Sequence, residues 1–238
     1  DNMKLWVEWI HRVDHETGDH RLWQAGFHFA DWLALDARAN SCIGVTDVSL
    51  IASAAYARAA DLAARIADVL DRDYDARNFR ALHKKIKRAY QREFITATGR
   101  LAVNTQTAHI LTLRFDLCEE EHRDRIANDL FRLIEENNDC LTTGSAGTPS
   151  VLSLLTSLGR HDLAARVLFR DDMPSWLYAV RHGATTIWER WDGIQPDGAF
   201  ANPEFNSFNH PLGSCIAAWL VSCVAGIGFY RSPMYADI

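Results

Sequence analysis

The stretch GATTIWERWDGIQPDGAF, residues 183–200, packs two tryptophans, three acids, one arginine and three glycines into eighteen positions. Glu189 stands between Trp188 and the Arg190-Trp191 pair. Flat indoles beside a carboxylate suit a sugar. The apolar face of a pyranose lies on the ring, and its hydroxyls bond to carboxylates, amides and imidazoles. The same residues also suit a packed turn, with Trp188 and Trp191 in the core and Glu189 paired to Arg190.

Three further groupings carry polar side chains in apolar company. In NSFNH, residues 206–210, four polar residues precede an apolar run. Asn209 is the expected N-cap, with Pro211 just inside the helix. That places His210 in a first helical turn, either as a sugar ligand or as a satisfied structural imidazole. In GFHFADWLALD, Asp31 beside Trp32 repeats the acid-plus-indole pairing. It reads either as a buried Trp with a capping Asp or as part of a sugar pocket. Gln106 and His109, in TQTAH, lie on a small-residue helix, where buried polar groups need partners. No GxSxG, HExxH, GxGxxG or P-loop pattern occurs. The expectation is therefore no metal and no cofactor.

The elements that must hold these residues are helical. Apolar residues at 5, 6, 9, 10 and 13 share one helical face. Residues 47–70 are alanine-rich, with Asp47 as N-cap. Further helices are predicted at 73–94, 105–116, 119–136, 149–158, 161–169 and 210–227. Thr185 and Thr186 offer a start for a short helical turn over 187–191. Helices 73–94 and 119–136 are amphipathic and charged, as in an outer layer. Helices 47–70, 105–116 and 210–227 are apolar or small around most of their girth, as in an inner layer. Their rough alternation predicts an all-α fold, an (α/α) toroid of inner and outer helices. Long polar or aromatic connections at 21–36, 137–149 and 188–210 are the natural places for a site.

Composition narrows the function classes. The 238 residues suffice for one large domain, and 48% are apolar. The net charge of −6 argues against nucleic acid as a partner. The basic cluster HKKIKR, 83–88, reads as a solvated helix face. No apolar run reaches membrane-spanning length. Five dispersed cysteines without a CxxC pattern read as reduced thiols and lean toward a cytoplasmic setting. Cys215 and Cys223 are expected as small core residues.

GATTIWERWDGIQPDGAF followed by NSFNH resembles the catalytic-domain signature of α-L-rhamnosidases of glycoside hydrolase family 78. GFHFADWLALD, TQTAHILTLRFDL, LTTGSAGTP and DMPSWLYAVRHGATT resemble the same family in the same order. The resemblance spans about residues 20–227. It implies an (α/α)6 barrel that cleaves terminal α-linked L-rhamnose with inversion. Such chemistry uses two carboxyl groups roughly 6.5–9.5 Å apart, one protonated and one ionised. The resemblance makes Glu189 the general base and His210 a rhamnose ligand. It places Trp32 in the sugar pocket, with Asp31 and Trp188 as further contacts.

The departures are specific. The family's general acid lies in an Arg-Asp-Glu-Arg stretch followed by Gly-Trp and an aspartate, and no such stretch occurs here. About eight helical segments stand where six hairpins need twelve. The histidine block continues as HPLGSC instead of with an aromatic, which bears on the pocket beside His210. The expectation is that residues 1–238 form the carboxy-terminal portion of the barrel. They would supply the base and much of the pocket, remain nearly inactive alone, and associate through exposed barrel edges. The expected partner is a rhamnose-containing glycoside, not nucleic acid or a membrane. The alternative is a non-catalytic carbohydrate-binding or interaction module on the same scaffold. A third reading keeps the enzyme and changes the sugar.

Overall fold

The computed structural model describes residues 2–39, 41–202 and 206–227. Among these residues the secondary structure is helical, apart from three isolated β-bridges. The order is α1 (Asn2–Thr17), α2 (Val48–Val69), α3 (Asp73–Phe94), α4 (Gln106–Arg114), α5 (Glu120–Glu136), α6 (Val151–Ser157), α7 (His161–Phe169), α8 (Trp176–Arg181) and α9 (Cys215–Trp219). A 3-10 turn, Thr148–Ser150, leads into α6, and another, Pro211–Gly213, precedes α9. A π turn, Leu220–Val224, extends α9.

The expected two layers form. α4 buries every residue from Gln106 to Leu113. α2 buries seven alanines, among them Ala57, Ala60 and Ala64, whose small side chains let neighbouring backbones approach. α3 and α5 bury one stripe each, Phe79, Ile86, Tyr90 and Phe94 on α3 and Ile126, Leu130 and Ile134 on α5. Short connections join α2 to α3, α4 to α5 and α6 to α7, making inner–outer hairpins. The described residues thus form an arc of an (α/α) toroid.

Among the described residues, the inner helices α2, α4, α6 and α9 point their N-termini the same way. Thr46, next to the Asp47 cap of α2, bonds through Oγ1 to Oγ1 of Thr105, the cap of α4, at 2.7 Å. A Cβ on Gly147, just before α6, would lie 2.7 Å from Thr107 Oγ1 on α4. Cys215 Sγ, at the start of α9, donates to the Thr148 carbonyl at the start of α6, 3.5 Å away. Trp219 Nε1 donates to Thr156 Oγ1 further along the same two helices, so they run parallel. The connections 18–47, 95–105, 137–147 and 182–210 therefore gather at one end of the arc.

Asp31 ties that end together. It is fully buried, and its carboxylate accepts from Thr107 Oγ1 on α4. It also accepts from the amides of Ala146, at 2.8 Å, and Gly147, at 3.4 Å. Its backbone carbonyl accepts from Gly44 N. Gln106 secures the next connection, accepting from Thr142 N and donating to the Cys140 carbonyl. His109 is buried and donates Nδ1–H to the Thr105 carbonyl, so Gln106 and His109 are internal supports.

Two elements differ from expectation. Residues 187–191 are not a helical turn. They are extended and bent, because Glu189 N donates to the Ser207 carbonyl and His210 N to the Ile187 carbonyl. Residues 210–227 are not one continuous buried helix. Pro211 and Gly213 break its start, the π turn ends it, and Leu220, Val221 and Val224 are exposed. Cys215 and Cys223 are only partly buried, since α9 packs on α6 along one side.

Replacing Asp31 with Ala strands the Thr107 hydroxyl and two buried amides, at a cost of about 2–4 kcal/mol. Asp31→Asn keeps an acceptor for the amides and a donor for Thr107, and should cost about 1 kcal/mol or less. Burial pushes the Asp31 pKa up, and bonds from Thr107 and the amides of Gly144, Ala146 and Gly147 pull it partway back. A folded pKa above the unfolded one gives stability that is present at low pH and lost as pH rises through the folded value. The stability of the native protein relative to Asp31→Asn should therefore fall as pH rises from about 4. Urea denaturation of the three proteins across pH checks both statements.

Candidate active site

Two extended segments build the site. Residues 186–189 and 207–210 run antiparallel, joined by the two backbone bonds above and by Thr186 Oγ1 donating to the Phe208 carbonyl. This pairing brings Glu189 beside His210 across twenty residues of intervening chain. Glu189 Oε2 accepts from Ser207 N at 3.1 Å, and its Oε1 lies 3.9 Å from His210 Nε2. The Glu189 side chain is 11% exposed and that of His210 is 38% exposed.

His210, not Asn209, caps the turn that follows. Its backbone is extended, and its Nδ1 accepts from Leu212 N at 3.2 Å. An amide can only donate, so Nδ1 carries the lone pair and the neutral ring holds its proton on Nε2, facing Glu189. Ser207 Oγ, in turn, accepts from Asn209 N.

Arg190 does not pair with Glu189. Its guanidinium makes a two-point bond with Asp192, at 2.9 and 3.0 Å. The turn beyond is pinned by Tyr178 Oη donating to the Ile194 carbonyl at 2.6 Å and by Asn206 Nδ2 donating to the Gly193 carbonyl at 2.7 Å. The turn is tight at Gly193, where a Cβ would meet Asn206 Oδ1 at 3.1 Å and Trp188 Cε3 at 3.3 Å. With Arg190 occupied by Asp192, the Glu189 carboxylate is held by one amide and faces an imidazole.

A cavity of about 310 Å3 opens at this position, lined by Trp176, Ile187, Trp188, Glu189, Trp191 and Leu212 among others. It lies at the small end of the usual range for ligand pockets, about 300–1,000 Å3, and suits one ring better than a chain of them. The Trp188 ring packs edge-on against Phe208, and Trp191 against Trp176. Trp176 Nε1 donates to the Gly213 carbonyl. Glu189 is the one acid among the described residues lining the cavity.

The structure thus brings Glu189 and Trp188 to one cavity, with His210 beside Glu189 but not among the lining residues. Trp32 and Asp31 lie in a neighbouring connection that does not line this cavity. Leu33, Ala34 and Leu35 from that connection close a small cleft against Arg190, Trp191 and Asp192. Trp32 N donates to Ser145 Oγ, its carbonyl accepts from Ser145 N, and its ring meets Phe29 edge-on. A Cβ on Gly144 would come within 2.2 Å of the Trp32 carbonyl oxygen, so only glycine fits there. Asp31 has no exposed surface, and both of its carboxylate oxygens are engaged inside the protein. Its role is to position the connection that carries Trp32.

The Ser207 amide, the Arg190–Asp192 pair and α8 were not anticipated. Ser175, which accepts from Tyr178 N, is the N-cap signal that marks α8.

Residues 1–224 match the sequence model of the bacterial alpha-L-rhamnosidase 6 hairpin glycosidase domain. An alpha-L-rhamnosidase of Streptomyces avermitilis is 40% identical over 199 residues, covering 84% of this chain and 18% of the relative. One from Formosa agariphila is 34% identical over 229 residues, covering 95% of this chain and 24% of the relative. The crystal structure of a Streptomyces avermitilis alpha-L-rhamnosidase complexed with L-rhamnose aligns with a TM-score of 0.86 at 37% identity, over 96% of this chain and 21% of that one. The chain spans about a fifth to a quarter of the length of these relatives.

Glu189→Gln retains a carbonyl to accept from Ser207 N. Its melting temperature should lie within about 2 °C of the native value, while Glu189→Ala, which strands that amide, should fall by about 2–4 °C. Thermal unfolding followed by circular dichroism reads both.

Proposed function

The chain belongs to the bacterial alpha-L-rhamnosidase six-hairpin glycosidase family, and from that premise we propose that it bears the general base of an inverting hydrolase releasing terminal α-linked L-rhamnose. The observation that carries this reading is the Glu189 carboxylate. It lines a tryptophan-walled cavity, is held by one amide and, among the described residues, has no cation within hydrogen-bonding distance. A carboxylate so held keeps a lone pair free for the proton of a water molecule.

The step is an in-line displacement. Water attacks the anomeric carbon from the face opposite the leaving oxygen while Glu189 removes its proton. The glycosidic bond breaks, and the leaving oxygen takes a proton from a general acid. Glu189 being the one acid at the cavity among the described residues, the general acid is assigned to polypeptide outside them. His210 Nε2–H donates to a sugar hydroxyl, and Trp188 packs against the apolar face of the ring. Trp32 borders the pocket from the adjacent connection, with Asp31 holding it there.

We place residues 1–238 as the carboxy-terminal portion of the catalytic barrel. The exposed apolar residues of the π turn after α9, Leu220, Val221 and Val224, and those of α1, Leu5 and Trp6, are the flanks against which further hairpins would pack. The substrate class is a rhamnose-containing glycoside.

In the full-length natural polypeptide, Glu189→Gln should lower kcat on p-nitrophenyl α-L-rhamnoside by about 10²–10⁴-fold while the protein stays folded. Unchanged turnover removes Glu189 from the mechanism, and rhamnose binding without turnover in the native protein points to a carbohydrate-binding module. His210→Ala should weaken L-rhamnose binding about tenfold by titration calorimetry, the loss of one hydrogen bond. Equal affinity makes His210 a cap and nothing more.

A further inference from the structure

Among the described residues, the Glu189 carboxylate is aimed by one hydrogen bond, from Ser207 N to Oε2 at 3.1 Å. A glutamate side chain is long, and its last torsion is broad. The amide therefore fixes the plane of the carboxylate and leaves Oε1 as the oxygen turned toward His210 Nε2. Where that amide points decides where the carboxylate points.

The Ser207 N–H belongs to a planar peptide group that begins at Asn206. Its direction turns with the backbone of Asn206. The other end of Ser207 is already fixed, since its carbonyl accepts from Glu189 N at 2.9 Å. The remaining hinge is Asn206, and the side chain of Asn206 ties it down: Nδ2 donates to the Gly193 carbonyl at 2.7 Å. Asn206 and Ser207 thus hold the 189–193 segment at both of its ends.

The turn at Gly193 has other supports. Tyr178 Oη donates to the Ile194 carbonyl at 2.6 Å, and the Gly193 carbonyl also accepts from Ala201 N at 3.4 Å. The Arg190–Asp192 pair braces the turn from within. The second arm of the Asn206 amide adds nothing, because Oδ1 is buried without a partner among the described residues. A buried amide with one arm unsatisfied is a costly way to brace a turn that is braced already. The donor arm does what the other supports do not. It fixes the turn relative to the peptide that holds the carboxylate.

We propose that Asn206 is a positioning residue for the general base: its bond to Gly193 orients the 206–207 peptide and so aims the Glu189 carboxylate. The inference rests on the reading of Glu189 as that base. Asn206 is not among the residues lining the cavity, so its effect on turnover runs through Glu189 and not through contact with the sugar. A misplacement of about 1 Å at a reacting group can cost about 10²-fold in rate.

The test measures kcat and KM on p-nitrophenyl α-L-rhamnoside in the full-length natural polypeptide. Asn206→Leu keeps the volume and loses the donor, and Asn206→Ala repeats the loss without the bulk. They are compared with Tyr178→Phe, Glu189→Gln and the Glu189→Gln/Asn206→Leu pair, each checked for folding by circular dichroism. If Asn206→Leu unfolds, Asn206→Ala takes its place throughout. In both Asn206 variants kcat should fall about ten- to a hundredfold with KM within about twofold of native. Tyr178→Phe, which removes a support of the same turn, should keep kcat within about threefold. In the Glu189→Gln background the Asn206 change should lower kcat by less than about twofold more, since no base is left to aim. A raised KM with kcat unchanged, an equal fall of kcat in Tyr178→Phe, or losses that multiply in the pair overturn the proposal. Failure of the rhamnosidase reading looks different: the native protein then gives no turnover, or Glu189→Gln turns over as fast as native.

Discussion

A buried carboxylate, Asp31, joins three stretches of chain that are far apart in sequence. Its side chain receives one hydroxyl from α4 and two amides from the segment entering α6, and its own backbone belongs to the connection entering α2. Taking that carboxylate from water carries a desolvation cost, which shows as its raised pKa. The donors offset the cost only while all three stretches stay in register. The group therefore acts as a geometric constraint on the end of the toroid where the long connections meet. Gly144 and Gly147 exist in that arrangement because a Cβ at either would strike Trp32 or Thr107.

The second constraint is the pairing of residues 186–189 with 207–210. It is a small piece of extended chain in a helical protein, and it does two things at once. It sets the Glu189 carboxylate next to an imidazole whose tautomer is dictated by the Leu212 amide. It also leaves the Arg190 guanidinium hydrogen-bonded to Asp192 and not to Glu189.

Most of the helical frame was legible in the sequence. The bounds of α3 and α7 agree with the periodicity, and Asp47 caps α2 through the bond its side chain was expected to make. These are local signals, and local signals carry local structure. What failed was non-local. Residues 187–191 look helical alone, and only their partner strand twenty residues on draws them out. Asn209 has the better capping propensity, yet His210 takes the cap because Pro211 and the pairing at Ile187 fix its backbone as extended. That Asp31 is enclosed by α4 and the 144–147 turn was likewise not legible beside its tryptophan. The prominence of Glu189 was visible in the sequence, since an acid among indoles is costly without a purpose. The amide that holds it was not.

The central proposal is that Glu189 deprotonates water on the side of the sugar opposite the departing oxygen. The configuration of the first product tests this directly. Proton NMR during the earliest turnovers of an α-L-rhamnoside by the full-length polypeptide should show β-L-rhamnose appearing first, with the α anomer growing later by mutarotation. First appearance of the α anomer means that a covalent intermediate intervenes and that Glu189 is not a base acting on water.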